Sequence, residues 1–146
     1  QVCSSVLFWF EKEQKAGLHL VETYEKFAAR VHKSIEETRD FVRNANSEGK
    51  TVYIYGASTR GGTIWQATGL DVTNLPFAVE RNPEKFGKVI SSIGVPIISE
   101  QEARQHKPDY MLVSPWFFRD VFVEREKQYL EDGGHLAFAL PEFQII

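Results

Sequence analysis

Hydrophobic residues between Leu20 and Val42 recur at intervals of three, four and seven positions. Because an α-helix repeats every 3.6 residues, this spacing places them along one side of a helix. The sequence therefore predicts a long amphipathic helix. We expect it to end just before Gly49, since glycine readily adopts the left-handed backbone conformation that closes helices. The predicted apolar side consists of Leu20, Tyr24, Phe27, Ala28, Val31, Ile35 and Val42.

Beyond this helix, short apolar segments alternate with segments of helical pattern. Ser99, with Glu102 three positions later, forms a capping box that predicts the start of one of these helices. Strands that alternate with helices are typical of a parallel sheet covered on both faces. We therefore predict an α/β fold, a Rossmann-like three-layer sandwich with a mostly parallel sheet, preceded by the long N-terminal helix. The predicted strands are Thr51 to Tyr55, Pro76 to Glu80, Tyr110 to Val113, His135 to Leu140 and Glu142 to Ile146, with Val95 to Ile98 either a strand or an extended connection.

A second apolar run, Val6 to Phe10, stands before the long helix. Its β-branched and aromatic residues are typical of a strand. Two interpretations stay open: it is the last strand of a preceding domain, or it is the first strand of this one. We accordingly divide the chain into a strand-like segment, residues 1–16, and a Rossmann-like domain, residues 17–146.

Length and composition limit the classes of function. A chain of 146 residues with 42% hydrophobic content builds one packed core. Its 17 basic and 20 acidic residues are interspersed, so the net charge of -3 provides no positive field for nucleic acid. The one cysteine, Cys3, leaves no partner for an internal disulfide. No apolar run approaches the ~20 residues of a membrane span. We expect a cytoplasmic protein whose partners are neither nucleic acid nor membranes.

A loop bracketed by glycines, Gly56 to Gly62, follows the first predicted strand and leads into a helix. In a parallel sheet, backbone N–H groups and the positive end of the helix converge at such a loop and attract anions. The hydroxyls of Ser58 and Thr59 and the guanidinium of Arg60 can hydrogen-bond to phosphate oxygens, while Gly61 permits close approach. The loop predicts a phosphate or pyrophosphate site. The alternative is that its glycines only permit a tight turn.

Two common nucleotide-binding motifs fit this loop poorly. Gly62 stands where the P-loop requires lysine, so we reject a P-loop hydrolase. Ser58 replaces the second glycine of the dinucleotide motif GxGxxG. Glu80 ends the next predicted strand, near the position at which an acid holds a ribose in Rossmann folds. Trp116, after the fourth strand, is a weaker candidate for contact with a base or sugar, because rings at such positions more often belong to the core.

The remaining polar residues suggest no catalytic or metal site. The four histidines have no acid or cysteine at ligand spacing, so we predict no metal site. Nothing links a serine, histidine and acid, or a cysteine and histidine, into a catalytic set, and we predict no catalytic residue in this chain. The charged run Glu124 to Lys127 is interpreted as a solvated helix face, within a helix predicted over Pro115 to Tyr129.

Several separated strings recur in a characteristic order and spacing: GL with YEKFA, GK, YGASTRGG, ERNPEKFGK, VPIIS, PDYMLVSPW and GGHLAFALPE. Together they resemble the C-terminal domain of the S-adenosylmethionine-dependent C-methyltransferases that act on nucleotide-linked deoxysugars. The resemblance covers nearly the whole chain from about Gly17 onward. In the family the loop usually reads YGASAKGN; here Arg60 and Gly62 replace its lysine and asparagine. Glu80 replaces the aspartate of DRNP, and Phe117 replaces the asparagine of PWN.

The resemblance implies a protein of three parts: a zinc-binding N-terminal part, a middle methyltransferase domain that holds S-adenosylmethionine and the base, and a C-terminal domain that lines the substrate cleft. Residues 17–146 would be the third part, and residues 1–16 the end of the second. S-adenosylmethionine is then the cofactor of the full-length protein and is not expected to bind this chain, which should be inactive alone. The expected partners are a nucleotide-sugar-like small molecule and the missing methyltransferase domain. The candidate substrate-binding residues are Ser58, Thr59, Arg60, Gly61, Glu80, Asn82 and Trp116.

Two other classes of function stay open. One is a free-standing module that binds a nucleotide or acyl-CoA-type diphosphate without a partner domain. The other is a structural or dimerisation domain, in which the loop is only a turn and the helix from Leu20 to Val42 packs on a partner, giving a homo-oligomer.

Overall fold

A computed structural model describes residues 3–146 of the chain. Within those residues, the structure contains helices, strands and two short 3₁₀ turns, Pro83–Lys85 and Trp116–Phe118. The α-helices are α1 Ser4–Lys15, α2 Val21–Ser47, α3 Thr59–Thr68, α4 Glu100–His106, α5 Arg119–Arg125 and α6 Lys127–Glu131. The strands are β1 Val52–Tyr55, β2 Ala78–Glu80, β3 Val89–Ile90, β4 Val95–Ser99, β5 Tyr110–Val113, β6 His135–Phe138 and β7 Gln144–Ile145.

The strands form a seven-stranded sheet in the order β3-β4-β2-β1-β5-β6-β7. The five inner strands run parallel to one another in the order β4, β2, β1, β5 and β6. The two outermost strands, β3 and β7, pair antiparallel with β4 and β6. This mostly parallel sheet, with the long α2 before it, confirms the predicted α/β fold.

Alternate residues of each inner strand point to opposite faces of the sheet, as strand geometry requires. On β1, Val52 and Ile54 pack in one apolar cluster, and Tyr53 and Tyr55 pack in the other. The first face is covered by α3 and by the second half of α2. The second face is covered by α4, α5 and α6. Both faces of β1 are therefore buried, which explains its continuous apolar sequence.

The chain divides into two compact units, one ending at Lys33 and one comprising Ser34–Ile146. In the first unit, α1 corrects the strand that was expected within residues 1–16; Gln1 and Val2 of that segment lie outside the described residues. A helix satisfies its own backbone groups without a neighbouring strand, and the residues after Phe10, EKEQK, are strong helix formers. Every residue from Val6 to Phe10 is more than half exposed.

The predicted long helix is confirmed as α2, but its apolar side is buried only in part. Val42 is fully buried, whereas Tyr24 and Phe27 are exposed. The helix also buries two small polar residues: Ser34 donates a hydrogen bond to the carbonyl of Ala139 at 2.6 Å, and Thr38 donates to the carbonyl of Ser34 at 2.8 Å. The residues of α2 that are buried are Ser34, Thr38, Val42 and Ala45.

The helix predicted over Pro115 to Tyr129 is divided into the second 3₁₀ turn, α5 and α6. Glu126 separates α5 from α6 with φ -97° and ψ 16°, outside the α-helical range. Its side chain is 1% exposed and accepts a hydrogen bond from the hydroxyl of Tyr55 at 2.7 Å. The prediction that Glu124 to Lys127 form a solvated helix face is therefore wrong for Glu126. No helix within residues 3–146 is long and apolar enough to cross a membrane.

Candidate functional site

The order of the strands reverses between β1 and β5, because β1 continues to β2 on one side and pairs with β5 on the other. In open α/β sheets, ligands bind outside the carboxyl ends of the strands at such a reversal. Two segments meet there. One is the loop Gly56 to Gly62, called the glycine loop below, and the other runs from Ser114 to Trp116 after β5.

Ser58 begins α3. Its backbone is extended, at φ -102° and ψ 153°, and its Oγ accepts a hydrogen bond from the N–H of Gly61 at 3.1 Å. Its carbonyl accepts from the N–H of Gly62 at 2.9 Å. The N–H groups of Thr59 and Arg60 precede the first intrahelical hydrogen bond, so they are directed out of the helix end, where the helix dipole is positive.

Two glycines of the loop allow it to pack tightly against the end of β5. Gly56 has φ +93°, and a Cβ there would lie 3.0 Å from Cδ of Pro115. A Cβ on Gly61 would lie 2.6 Å from Oγ of Ser114. Ser114 is buried and its Oγ accepts a hydrogen bond from Nε1 of Trp65 at 3.1 Å. Gly61 therefore has a packing role, which the sequence did not reveal.

Glu80 ends β2, and its carboxylate binds the glycine loop. It accepts hydrogen bonds from the N–H of Ala57 at 3.2 Å and from Nζ of Lys85 at 3.0 Å. It also accepts from the N–H groups of Arg81, at 2.8 Å, and Asn82, at 3.2 Å. Burial raises the pKa of Glu80, but the hydrogen bonds from Lys85, Asn82 and Arg81 outweigh it and hold the pKa below its ordinary value.

Asn82 and Lys85 support the same region. Oδ1 of Asn82 accepts a hydrogen bond from the N–H of Glu84 at 3.0 Å and caps the first 3₁₀ turn. Nζ of Lys85 donates to the carbonyl of Ala57 at 2.9 Å. Sequence reasoning missed Lys85, although it lies in the string ERNPEK, five positions after Glu80.

Arg60 lies beside an aromatic cluster. Its guanidinium carbon is 4.6 Å from the ring centre of Phe117, and that ring is 5.4 Å from the ring of Trp116 in an edge-on arrangement. Phe117 is 47% exposed, whereas Trp116 packs partly against the apolar cluster on the second face of the sheet. Among residues 3–146, Arg60 makes no ion pair, so its charge is available to a ligand.

The seven predicted residues therefore gather at one edge of the sheet but have unequal contacts. Ser58 bonds to Gly61, and Glu80 bonds to the loop through Ala57. Thr59 lies exposed in the first turn of α3. The hydrogen bonds of Ser58, Glu80 and Asn82 are internal to the protein, which leaves Thr59, Arg60 and the aromatic cluster to meet a ligand.

A groove with a volume of about 300 Å³ lies on the other side of the glycine loop. The turn that joins β3 to β4 forms its opposite wall, and we call it the hairpin groove. Its lining residues are Ala57, Ser58, Thr59, Gly62, Thr63, Gln66, Val89, Ile90, Ser91, Ser92 and Ile97.

A larger cavity, of about 680 Å³, lies away from the glycine loop, beside α4 and α6. Its charged residues largely neutralise one another, since Glu126 is paired with both Arg104 and Arg125. Asp109, at the amino end of β5, pairs with Lys50 at 2.9 Å. These ion pairs make the cavity a weaker candidate than the carboxyl edge.

The hydrogen bonds of Glu80 weigh against its holding the ribose of an adenosine cofactor. Glu80, which would hold a ribose, already has its oxygens bonded to Lys85 and to backbone N–H groups. Among the residues that the structure describes, no three His, Cys, Asp or Glu side chains come together as metal ligands.

Comparison with known proteins agrees with the resemblance seen in the sequence. A family model described as C-methyltransferase C-terminal domain matches residues 1–141. The chain is 32% identical over 146 residues to C-methyltransferase NovU of Streptomyces niveus, a match that covers 100% of this chain and 35% of NovU. The chain thus spans about a third of that relative's length. The chain belongs to the family of C-methyltransferase C-terminal domains.

Proposed function

We propose that this chain is the substrate-side domain of an S-adenosylmethionine-dependent C-methyltransferase, and that its glycine loop binds the diphosphate of a nucleotide-linked sugar. The observation that carries this proposal is the position of Arg60. In a member of this family, its guanidinium lies at the N-terminus of α3 without an ion-pair partner among residues 3–146. The N–H groups of Thr59 and Arg60 point the same way, so one anion can meet both the charge and the helix dipole.

The aromatic cluster suits the base of the same ligand. Phe117 is exposed and stands beside Arg60, with Trp116 at its edge. Exposed rings next to a phosphate site provide a surface on which a nucleobase stacks. The ligand would then run from the aromatic cluster to the first turn of α3.

S-adenosylmethionine supplies the methyl group in this proposal and binds outside this chain. The internal hydrogen bonds of Glu80 support the proposal that this cofactor binds elsewhere. We expect this chain to hold and orient the nucleotide, to work beside a methyltransferase domain in the cytoplasm, and to be inactive alone.

Isothermal titration of the chain with thymidine diphosphate, S-adenosylmethionine and NADH in parallel tests the proposal. We expect saturable binding of thymidine diphosphate only. Arg60→Ala should weaken it by ~1 to 3 kcal/mol, as loss of a charged hydrogen bond does, which is about 5- to 150-fold in Kd. Arg43→Ala, which removes the same charge from α2, is the matched control and should leave Kd unchanged.

Melting curves of the same variants distinguish binding from folding. Arg60 is exposed, so Arg60→Ala should leave the melting temperature nearly unchanged. A large fall in melting temperature without a change in Kd would show that the glycine loop is only a turn. Binding of NADH or S-adenosylmethionine, or no binding of thymidine diphosphate, would contradict the proposed role.

A further inference from the structure

We propose that the hairpin groove binds the sugar ring of the nucleotide-linked substrate; this inference rests on the proposed function. The helix α3 separates two surfaces at its N-terminus. Arg60 lies against Phe117 on one side. Thr59, Thr63 and Gln66, spaced four and three positions apart, share the other side and line the groove.

The opposite wall comes from the tight turn between β3 and β4. Ser91 and Ser92 stand in this turn, where the N–H of Gly94 donates to the carbonyl of Ile90 at 2.9 Å. Oγ of Ser92 lies 3.4 Å from the carbonyl of Gly62 and connects the turn to α3. The groove is thus bounded on both sides by elements that the sheet positions.

The chemistry of the lining is uncharged and rich in hydrogen-bonding groups. The described residues that line the groove include five hydroxyl side chains and one amide and no charged side chain. Val89, Ile90 and Ile97 add an apolar surface. A sugar ring presents hydroxyl groups along its rim and C–H groups on its faces, which this mixture matches.

Other parts of the substrate suit the groove less well. A phosphate would find no cation among the lining residues, and a nucleobase would find no aromatic ring to stack on. The volume of about 300 Å³ lies at the lower end of the range for small-molecule sites, which fits a single ring.

The groove also adjoins the diphosphate site. Thr59 lines the groove, and its backbone N–H belongs to the helix end that would meet the diphosphate. A sugar joined to the terminal phosphate would therefore lie next to the groove. Thr59, Thr63, Gln66 and Ser91 are exposed, so one face of a bound ring would stay accessible to a reagent from outside this chain.

The test compares thymidine diphosphate with thymidine diphosphate glucose by isothermal titration of the chain. We expect the sugar nucleotide to bind more tightly. The double variant Gln66→Met, Ser91→Ala should weaken binding of the sugar nucleotide about tenfold, as loss of one or two neutral hydrogen bonds does. Binding of thymidine diphosphate should change less than about twofold. Gln101→Met, an exposed glutamine on α4, is the matched control.

The outcomes separate this inference from the proposed function. If the double variant weakens both nucleotides equally, or leaves the sugar nucleotide unchanged, the groove does not bind the sugar, whereas the diphosphate site stands. If the unaltered chain binds neither nucleotide, the proposed function and the inference both fail. A melting curve of the double variant within about 2 °C of the unaltered chain, the size of a small surface effect, shows that it is folded.

Discussion

Adding one methyl group to Gly61 tests whether the glycine loop is shaped by the end of β5. A Cβ at Gly61 would lie 2.6 Å from Oγ of Ser114 and 2.7 Å from its Cβ. Carbon atoms pack best at roughly 3.5 to 4.0 Å, so the loop and β5 would have to move apart. Ser114 is 1% exposed and bonded to Trp65, which prevents it from turning aside without losing that bond.

The expected magnitude combines two opposing effects. Overpacking a close contact costs ~1 to 3 kcal/mol, and replacing glycine by alanine inside a helix gains ~0.5 to 1 kcal/mol. Gly61→Ala should therefore lower the free energy of unfolding by about 1 to 2 kcal/mol. Gly62→Ala is the matched control in the same helix, because its Cβ would lie 3.5 Å from Oγ of Ser92, an ordinary contact. Gly62→Ala should therefore raise the free energy of unfolding by the ~0.5 to 1 kcal/mol that replacing glycine inside a helix gains.

Urea denaturation followed by tryptophan fluorescence measures these differences as changes in the midpoint at constant slope. Ser114→Gly removes the two atoms of Ser114 that the new methyl group would meet, which are the nearest to it. In the double variant with Gly61→Ala, it should recover about 1 kcal/mol relative to the sum of the single variants. The reasoning is refuted if Gly61→Ala is as stable as Gly62→Ala, or if Ser114→Gly brings no recovery.

Two further predictions concern groups that the fold buries. Tyr55→Phe removes the buried hydroxyl that donates to Glu126 and should lower the free energy of unfolding by ~1 to 3 kcal/mol in urea denaturation; an equal effect of Tyr24→Phe, at an exposed tyrosine, would contradict this. Because the pKa of Glu80 is depressed in the folded protein, its contribution to stability is present above the unfolded pKa near 4.5 and is lost as the pH falls through the lower folded value. Glu80→Gln should therefore flatten the fall of the urea midpoint below about pH 4.5, and an unchanged pH profile would exclude that role.

Local patterns predicted the framework of the fold because they depend on nearby residues. The periodicity of α2 and the apolar run of β1 both appear in the structure within one or two residues of the expected bounds. The run Val6 to Phe10 was assigned wrongly because five consecutive apolar residues suit either a buried strand or a helix. The residues that follow this run, EKEQK, have high helix propensity, which favours a helix over a strand.

The sequence predicted which loop lies at the carboxyl end of β1, but not the contacts that this loop makes. The order of glycine, serine and arginine pointed to the end of β1, whereas the packing of Gly61 against Ser114 joins residues far apart in the chain. The burial of Glu126 likewise depends on Tyr55, 71 positions earlier. A polar residue in a helical pattern looks solvated until the partner that buries it is known. Such contacts require the fold itself.

Short strands form both edges of the sheet. β3 and β7 are each two residues long and run against the direction of their neighbours. A strand of this length offers too few free backbone groups to template the addition of a foreign strand, and this is one way in which proteins avoid joining edge to edge. We therefore expect a chain that associates with this domain to contact its helices and loops rather than to extend the sheet at β3.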